Sequence, residues 1–132
     1  MKRDVARDLV YKIIFQINFH DDFAERYEQM ILDSGIKGTQ GEYAKKTVKG
    51  ILDNLEEIDD TIKDNLKGWK FERLSTHVIA VLRLGVFEIM YNEDIPPLVG
   101  LNEAVSLAHT YSDEKEATFV NGLLNSVYKK VI

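Results

Sequence analysis

The stretch Thr76–Asn92, THVIAVLRLGVFEIMYN, decides the fold. Val78, Ile79, Val81, Leu82, Leu84, Val86, Phe87, Ile89 and Met90 fall on every side of a helical wheel, leaving almost no polar face. A helix that is apolar all round must be surrounded by others, so this segment is expected to be the central helix of an all-α protein, with Ser75 as its N-cap. One cation, Arg83, interrupts it. A buried guanidinium needs a carboxylate, and Glu88 and Glu103 are the candidates.

Outward from this helix the same period recurs. Upstream, Ala44, Val48, Ile51, Leu52 and Leu55 predict a helix whose pattern continues as Ile58, Ile62 and Leu66, with a break near Asp59, an available N-cap, and a stop at Gly68-Trp69. Before it, Asp21 or Asp22 can cap a helix carrying Phe23, Tyr27, Met30 and Ile31, which Ser34-Gly35 ends; Gly35, Gly38 and Gly41 mark a loop. At the amino end Ala6, Leu9, Ile13 and Ile17, with Val10 and Ile14 beside them, form a wide apolar face. Tyr11, Phe15 and Phe19 form a second stripe, so this helix is expected to touch the core on one side and a partner on the other.

Downstream, Asp94-Ile95-Pro96-Pro97 predicts a stiff extended connection. Leu101, Ala104, Val105 and Ala108 define the next helix, with Asn102 read as its cap and Glu103 as meeting the helix dipole or pairing with Arg83. Asp113 and Glu116 make a capping box for a last helix carrying Ala117, Val120, Leu123, Leu124 and Val127. No segment alternates with a period of two. The expectation is one all-α domain over residues 1–132, a compact bundle of about seven helices.

Composition narrows the function. The chain has 132 residues, no cysteine and a net charge of −5 from 22 acidic against 17 basic residues. The absence of cysteine removes disulfides and thiolate chemistry and suits the cytoplasm. No secretory signal and no run of roughly 18 apolar residues is present, so no membrane association is expected. The acidic balance disfavours nucleic acid, yet the basic residues are clustered: Lys2, Arg3, Arg7 and Lys12 lie against Asp4 and Asp8, and Lys45, Lys46 and Lys49 form a second island read as a solvated helix face. His20, His77 and His109 are isolated, and neither HExxH nor a glycine-rich phosphate loop occurs. Glu56-Glu57 and Asp59-Asp60 are adjacent pairs that diverge by about 100° on a helix. Catalysis, metals and cofactors are therefore not expected.

Phe119-Val120-Asn121-Gly122 stands out. Glycine inside a helix costs about 1 kcal/mol relative to alanine, so Gly122 predicts close helix packing. Phe119 lies off the Val120/Leu123/Leu124/Val127 face, where an exposed aromatic can stack on a base.

The segment Leu101-Asn102-Glu103-Ala104-Val105-Ser106-Leu107-Ala108, followed by Phe119-Val120-Asn121-Gly122-Leu123-Leu124, closely resembles the C-terminal signature of the NusB family of transcription antitermination factors. Ala6-Arg7, Gly50-Ile51 through Asn54, Ile58-Asp59, Trp69, Arg73-Leu74, Val81-Leu82-Arg83-Leu84, Glu88 and Ile95-Pro96 precede it in the family's order, so the resemblance covers essentially the whole chain. It implies an all-helical RNA-binding protein without catalysis. Such proteins pair with NusE, a small-subunit ribosomal protein, bind the single-stranded boxA element of ribosomal RNA leaders, and act with other Nus factors on elongating RNA polymerase so that it reads through terminators. By resemblance the RNA surface is Lys2, Arg3, Arg7 and Lys12 with Tyr111, Lys115 and Phe119. Phe15 is on the partner-facing side of the first helix, together with Tyr11 and Phe19. Arg83, Glu88, Asn102, Glu103, Asn121 and Gly122 are read as structural.

If Lys2, Arg3, Arg7 and Lys12 each neutralise one phosphate, the salt slope is about −3, and raising salt from 50 to 200 mM weakens binding roughly fifty-fold. Two alternatives keep the fold. One is an RNA-positioning module like the N-terminal domain of ribosomal RNA cytosine methyltransferases; the other is a helical interaction protein, homodimeric through the aromatic stripe.

Overall fold

The computed structural model describes residues 3–19 and 22–132. Among them are seven α-helices: α1 (Arg3–Phe15), α2 (Phe23–Asp33), α3 (Gly38–Asp53), α4 (Leu55–Asp64), α5 (Thr76–Met90), α6 (Pro97–Tyr111) and α7 (Glu114–Val131). Two 3-10 turns, Gln16–Phe19 and Phe71–Arg73, complete the regular structure. Every residue of α5 from Val78 to Ile89 is buried, as its all-round apolar pattern requires. It is enclosed by α1, α3, α4, α6 and α7. No helix among the described residues is long and apolar enough to cross a membrane.

Several boundaries differ from the sequence reading, each for a local reason. The long upstream pattern breaks at Asn54 and not at Asp59. The Asn54 side-chain amide donates to the Gly50 carbonyl at 2.8 Å and so closes the end of α3, while the Asn54 carbonyl accepts from Ile58 and opens α4. Asp59, left inside α4, faces α5. The glycine loop is shorter than expected, because Gly38 starts α3 and Gly41 lies in its first turn. Helix α6 begins at Pro97, whose missing N–H suits a first helical turn. Asn102 is consequently an exposed interior residue and no cap. Asp22 stands at the N-cap position of α2 without a side-chain cap bond, and Asp21 lies outside the described residues. The Asp113–Glu116 capping box forms with both reciprocal bonds.

The buried charges pair differently from expectation as well. Arg83 turns to α4, where its Nε and Nη2 donate to the two Asp59 carboxylate oxygens at 2.8 Å each. Glu88, only 1% exposed, belongs instead to Arg7 of α1. Arg7 Nε donates to Glu88 Oε1 at 2.6 Å and Nη2 to Oε2 at 3.3 Å, while Nη1 reaches Glu103 Oε1 at 3.4 Å. Tyr43 of α3 donates its hydroxyl to Glu88 Oε1 at 2.8 Å and lies beneath the Arg7 guanidinium. Burial opposes the Arg7 charge, but the Glu88 hydrogen bond and charge hold its pKa above the ordinary value. Desolvation and the adjacent Glu88 charge push the Tyr43 phenol strongly up.

Two glycines make room for this centre. A Cβ on Gly100 would come within 2.8 Å of Glu88 Cβ, and one on Gly50 within 2.3 Å of the Phe87 ring. Glu88→Ala, which leaves Arg7 buried without its main counter-charge, is expected to cost about 3–5 kcal/mol of unfolding free energy. Urea denaturation of the two proteins measures this; a loss under 1 kcal/mol contradicts the central role given to the pair.

Candidate nucleic-acid interface

The residues expected to bind RNA separate into two groups. The first lies on α1. Lys2 falls outside the described residues, and Arg3 opens α1 but its side chain also lies outside them. Arg7 must be removed from any phosphate-binding surface: it is 4% exposed and both edges of its guanidinium are held by carboxylates. Lys12 is exposed, 2.9 Å from Asp8. Burial works against the Asp8 charge, but hydrogen bonds from Tyr111 and Lys12 hold its carboxyl below the usual carboxylate range. Tyr111 thus donates its hydroxyl to Asp8 and stacks on Tyr11 with ring centres 4.5 Å apart, so it fastens α6 to α1.

This packing also alters the aromatic stripe. Tyr11 is buried under Tyr111 and offers no partner surface, whereas Phe15 is half-buried and Phe19 is 57% exposed. Their rings lie 5.5 Å apart. The apolar end of this helix, and not its whole length, faces outward. Lys45, Lys46 and Lys49 of α3 are each exposed and paired with Glu28, Asp94 and Asp53, in keeping with a solvated face.

The second group surrounds Phe119. Gly68, at φ +78°, turns the chain after α4 and presents Trp69, 53% exposed, to the side of α7. The Trp69 and Phe119 rings meet edge to face with centres 5.8 Å apart. On one side of this pair is a cleft of about 240 Å³, whose lining includes Arg73, Val78, Lys115 and Glu116. On the other side lies a second cleft of about 280 Å³, lined in part by Lys67 and Gly122. Gly122 has nothing within 4 Å of where its Cβ would stand, which corrects the expectation of close helix packing. Its missing side chain leaves the floor of this second cleft open. Asn121, read as structural, is exposed and accepts from the Asn125 side chain at 3.1 Å.

Trp69 and Arg73 escaped the sequence reading as site residues. The signal was present: Lys67, Trp69, Lys70, Phe71 and Arg73 interleave cations with aromatics in a stretch without helical period. His77, read as isolated, is also engaged. Its Nε2 lies 3.0 Å from Glu116 Oε1, and Ser75 Oγ donates to Glu116 Oε2 at 3.1 Å. Ser75 therefore occupies the N-cap position of α5 while its hydroxyl bonds across to α7. The trio is no hydrolytic triad, because the same imidazole nitrogen faces both Ser75 and Glu116 and cannot relay a proton between them. The His77 hydrogen bond, followed by bonds from the Asp113 backbone and Ser75, overcomes partial burial and lowers the Glu116 pKa.

The arrangement of helices has a counterpart among known proteins. Residues 4–129 match the family model described as the NusB family. The chain belongs to the NusB family. It is 37% identical over 142 residues to a transcription antitermination protein NusB of Clostridium botulinum (strain Kyoto / Type A2), with 96% of this chain and 99% of that one covered. The structure of T. maritima NusB superposes with a TM-score of 0.89 at 35% identity, covering 98% of this chain and 92% of that chain. A NusB in a crystal structure of the antitermination factors NusB and NusE with double-stranded RNA gives 0.86 at 31% identity, covering 98% and 97%. In this chain Phe119 and Trp69 stand between two clefts, Phe15 ends the first helix and Phe19 lies in the 3-10 turn that follows it.

Because folding lowers the Glu116 pKa, the folded state holds that proton less tightly than the unfolded chain. Its stabilisation is full above the unfolded value near 4.5 and is lost as pH falls through the lower folded value. Glu116→Gln, which keeps a residue suited to the capping box, should lower stability at neutral pH by about 1 kcal/mol or less. In paired thermal melts the gap between the two proteins should close as the pH is taken below that range. A gap independent of pH contradicts the assignment.

Proposed function

We propose that this chain is a transcription antitermination factor that binds boxA RNA of ribosomal RNA leaders together with NusE, and acts through other Nus factors on elongating RNA polymerase. The observation that carries the RNA side is the pair of exposed Trp69 and half-buried Phe119 between Lys67, Arg73 and Lys115. Aromatic faces stack on unpaired bases, and flanking cations track the backbone of a single strand. Phe15 and the exposed Phe19 supply an apolar surface for NusE at the far end of α1. The family membership and the relatives' names support the antitermination role. The match covers 99% of the C. botulinum protein, so that relative carries no methyltransferase domain beside the shared one. Binding and assembly are the whole of the activity; no catalytic step is part of it, and the cytoplasm is where it takes place.

Electrostatics make the partner important. Lys67, Arg73 and Lys115, contacting one phosphate each, give a salt slope of about −2, and binding weakens roughly twenty-fold between 50 and 200 mM salt. On a protein of net charge −5, three contacts make a weak site. NusE is therefore expected to contribute much of the affinity.

The test is fluorescence anisotropy of a labelled boxA RNA at 100 mM salt, titrated with the chain alone and then with NusE present. Binding should tighten on NusE addition. Phe119→Ala should weaken RNA binding by about 5- to 100-fold, the equivalent of one lost stacking contact. Phe19→Asp should abolish the NusE effect and leave the weak intrinsic RNA binding unchanged. Absence of RNA binding in both titrations overturns the proposal; light scattering would then ask whether Phe19 joins two copies of the chain.

A further inference from the structure

We infer that the Trp69–Phe119 cleft selects an unpaired base that presents amino hydrogens, cytosine, adenine or guanine over uracil, and that Glu116 Oε2 accepts the hydrogen bond from the base. The inference rests on the RNA reading of this cleft and assigns its specificity.

Among the described residues lining the cleft, Glu116 is the one acid; Arg73 and Lys115 are cations, and the remainder are apolar or hydroxyl-bearing. A carboxylate repels phosphate, so a groove that only tracked backbone would be better without it. Glu116 also stands one helical turn before Phe119, and residues three apart share a helix face. A base lying on the Phe119 ring therefore turns an edge toward this carboxylate.

The carboxylate is held still by donors from two directions. Oε1 accepts from the Asp113 backbone N–H at 3.2 Å and from His77 Nε2 at 3.0 Å, and Oε2 accepts from Ser75 Oγ at 3.1 Å. An ionised carboxylate can only accept, so the facing His77 nitrogen carries the hydrogen. These bonds occupy Oε1 fully. They leave Oε2, with its one bond from Ser75, spare acceptor capacity, and Glu116 lines the cleft. It also lies in the first turns of two helices, α5 through Ser75 and His77 and α7 through its own position, where the dipoles favour negative charge.

Such an acceptor distinguishes bases. Cytosine N4, adenine N6 and guanine N2 project amino hydrogens, and a glutamate accepting from cytosine N4 is an established recognition pair. Uracil offers only an N–H set between two carbonyl oxygens, whose lone pairs face the carboxylate. Phe119 and Trp69 stack on any base and add no choice. The selection therefore resides in Glu116, oriented by Ser75 and His77.

The sequence contains a single tryptophan, so its fluorescence reports on the Trp69–Phe119 pair. Titration with the oligoribonucleotides rC6, rA6 and rU6 should quench Trp69, with rC6 and rA6 binding about tenfold more tightly than rU6. An rC6 analogue dimethylated at N4, which lacks amino hydrogens, should fall to the rU6 level. In Glu116→Gln the carboxamide both donates and accepts, and the rC6-to-rU6 ratio should drop to about one. Lys115→Gln, a phosphate contact, should weaken all three oligomers by a common factor and leave the ratio intact. Equal quenching by all three oligomers with the unmodified chain, or an unaltered ratio in Glu116→Gln, overturns the inference and leaves the RNA reading standing. Absence of quenching by any oligomer overturns the cleft as an RNA site, and the inference with it.

Discussion

The Arg7–Glu88 pair is the constraint around which the other helices are arranged. A guanidinium and a carboxylate taken out of water lose several kcal/mol of hydration each, and only close, well-oriented contact offsets that loss. The pair meets the requirement with two hydrogen bonds, a third from Tyr43 and a further carboxylate at Glu103. Four helices, α1, α3, α5 and α6, each contribute one of these groups. Their relative positions are fixed wherever the polar groups must meet, while the surrounding apolar packing tolerates more variation.

The second buried pair, Arg83 with Asp59, does for α4 what Arg7 does for α1. Together the two pairs explain how an almost wholly apolar α5 finds one orientation among its neighbours. An apolar cylinder has many nearly equivalent ways to rotate, and a cation on one side with an anion on another removes most of them. Polar groups here act as registration marks for a core that dispersion and burial stabilise.

The seven-helix fold and the buried faces were legible in the sequence, because periodicity reports burial directly in α5 and in the Ala6/Val10/Ile13/Ile14 face of α1. The Asp113–Glu116 capping box was legible because its partners are three residues apart. Pairings across long separations were not. Arg83 stands near Glu88 in sequence, yet Glu88 faces α1 and Asp59 faces α5, and a helical wheel alone cannot say which neighbour lies opposite. Asn102 looked like a cap because the helix start was read from its apolar residues, and Pro97 had begun the helix before them. The site was legible in part. Phe119 stood out by its place off the apolar face of α7 and Lys115 came from the family resemblance, while Arg7 was carried along with its basic neighbours although its burial makes it structural. Trp69 lies in a turn without periodicity, where the family pattern marks its position and its interleaving with lysine and arginine hints at its use.

The sequence separation within the central pair has a consequence for synthesis. Arg7 and Glu88 are 81 positions apart, and Arg7 and Glu103 are 96 apart. As the chain leaves the ribosome from its amino end, α1 emerges long before its counter-charge does. Its guanidinium lacks this counter-charge until α5 has been made. The two- and three-helix fragments exposed meanwhile can pack α1 on α2 and α3 but lack the ion pair that fixes its register, which comes only with α5 and α6. Non-local closure of this kind slows folding relative to a bundle of sequential hairpins. It also keeps a partial chain from settling into a wrong arrangement around α1, since no earlier carboxylate offers the same enclosed site.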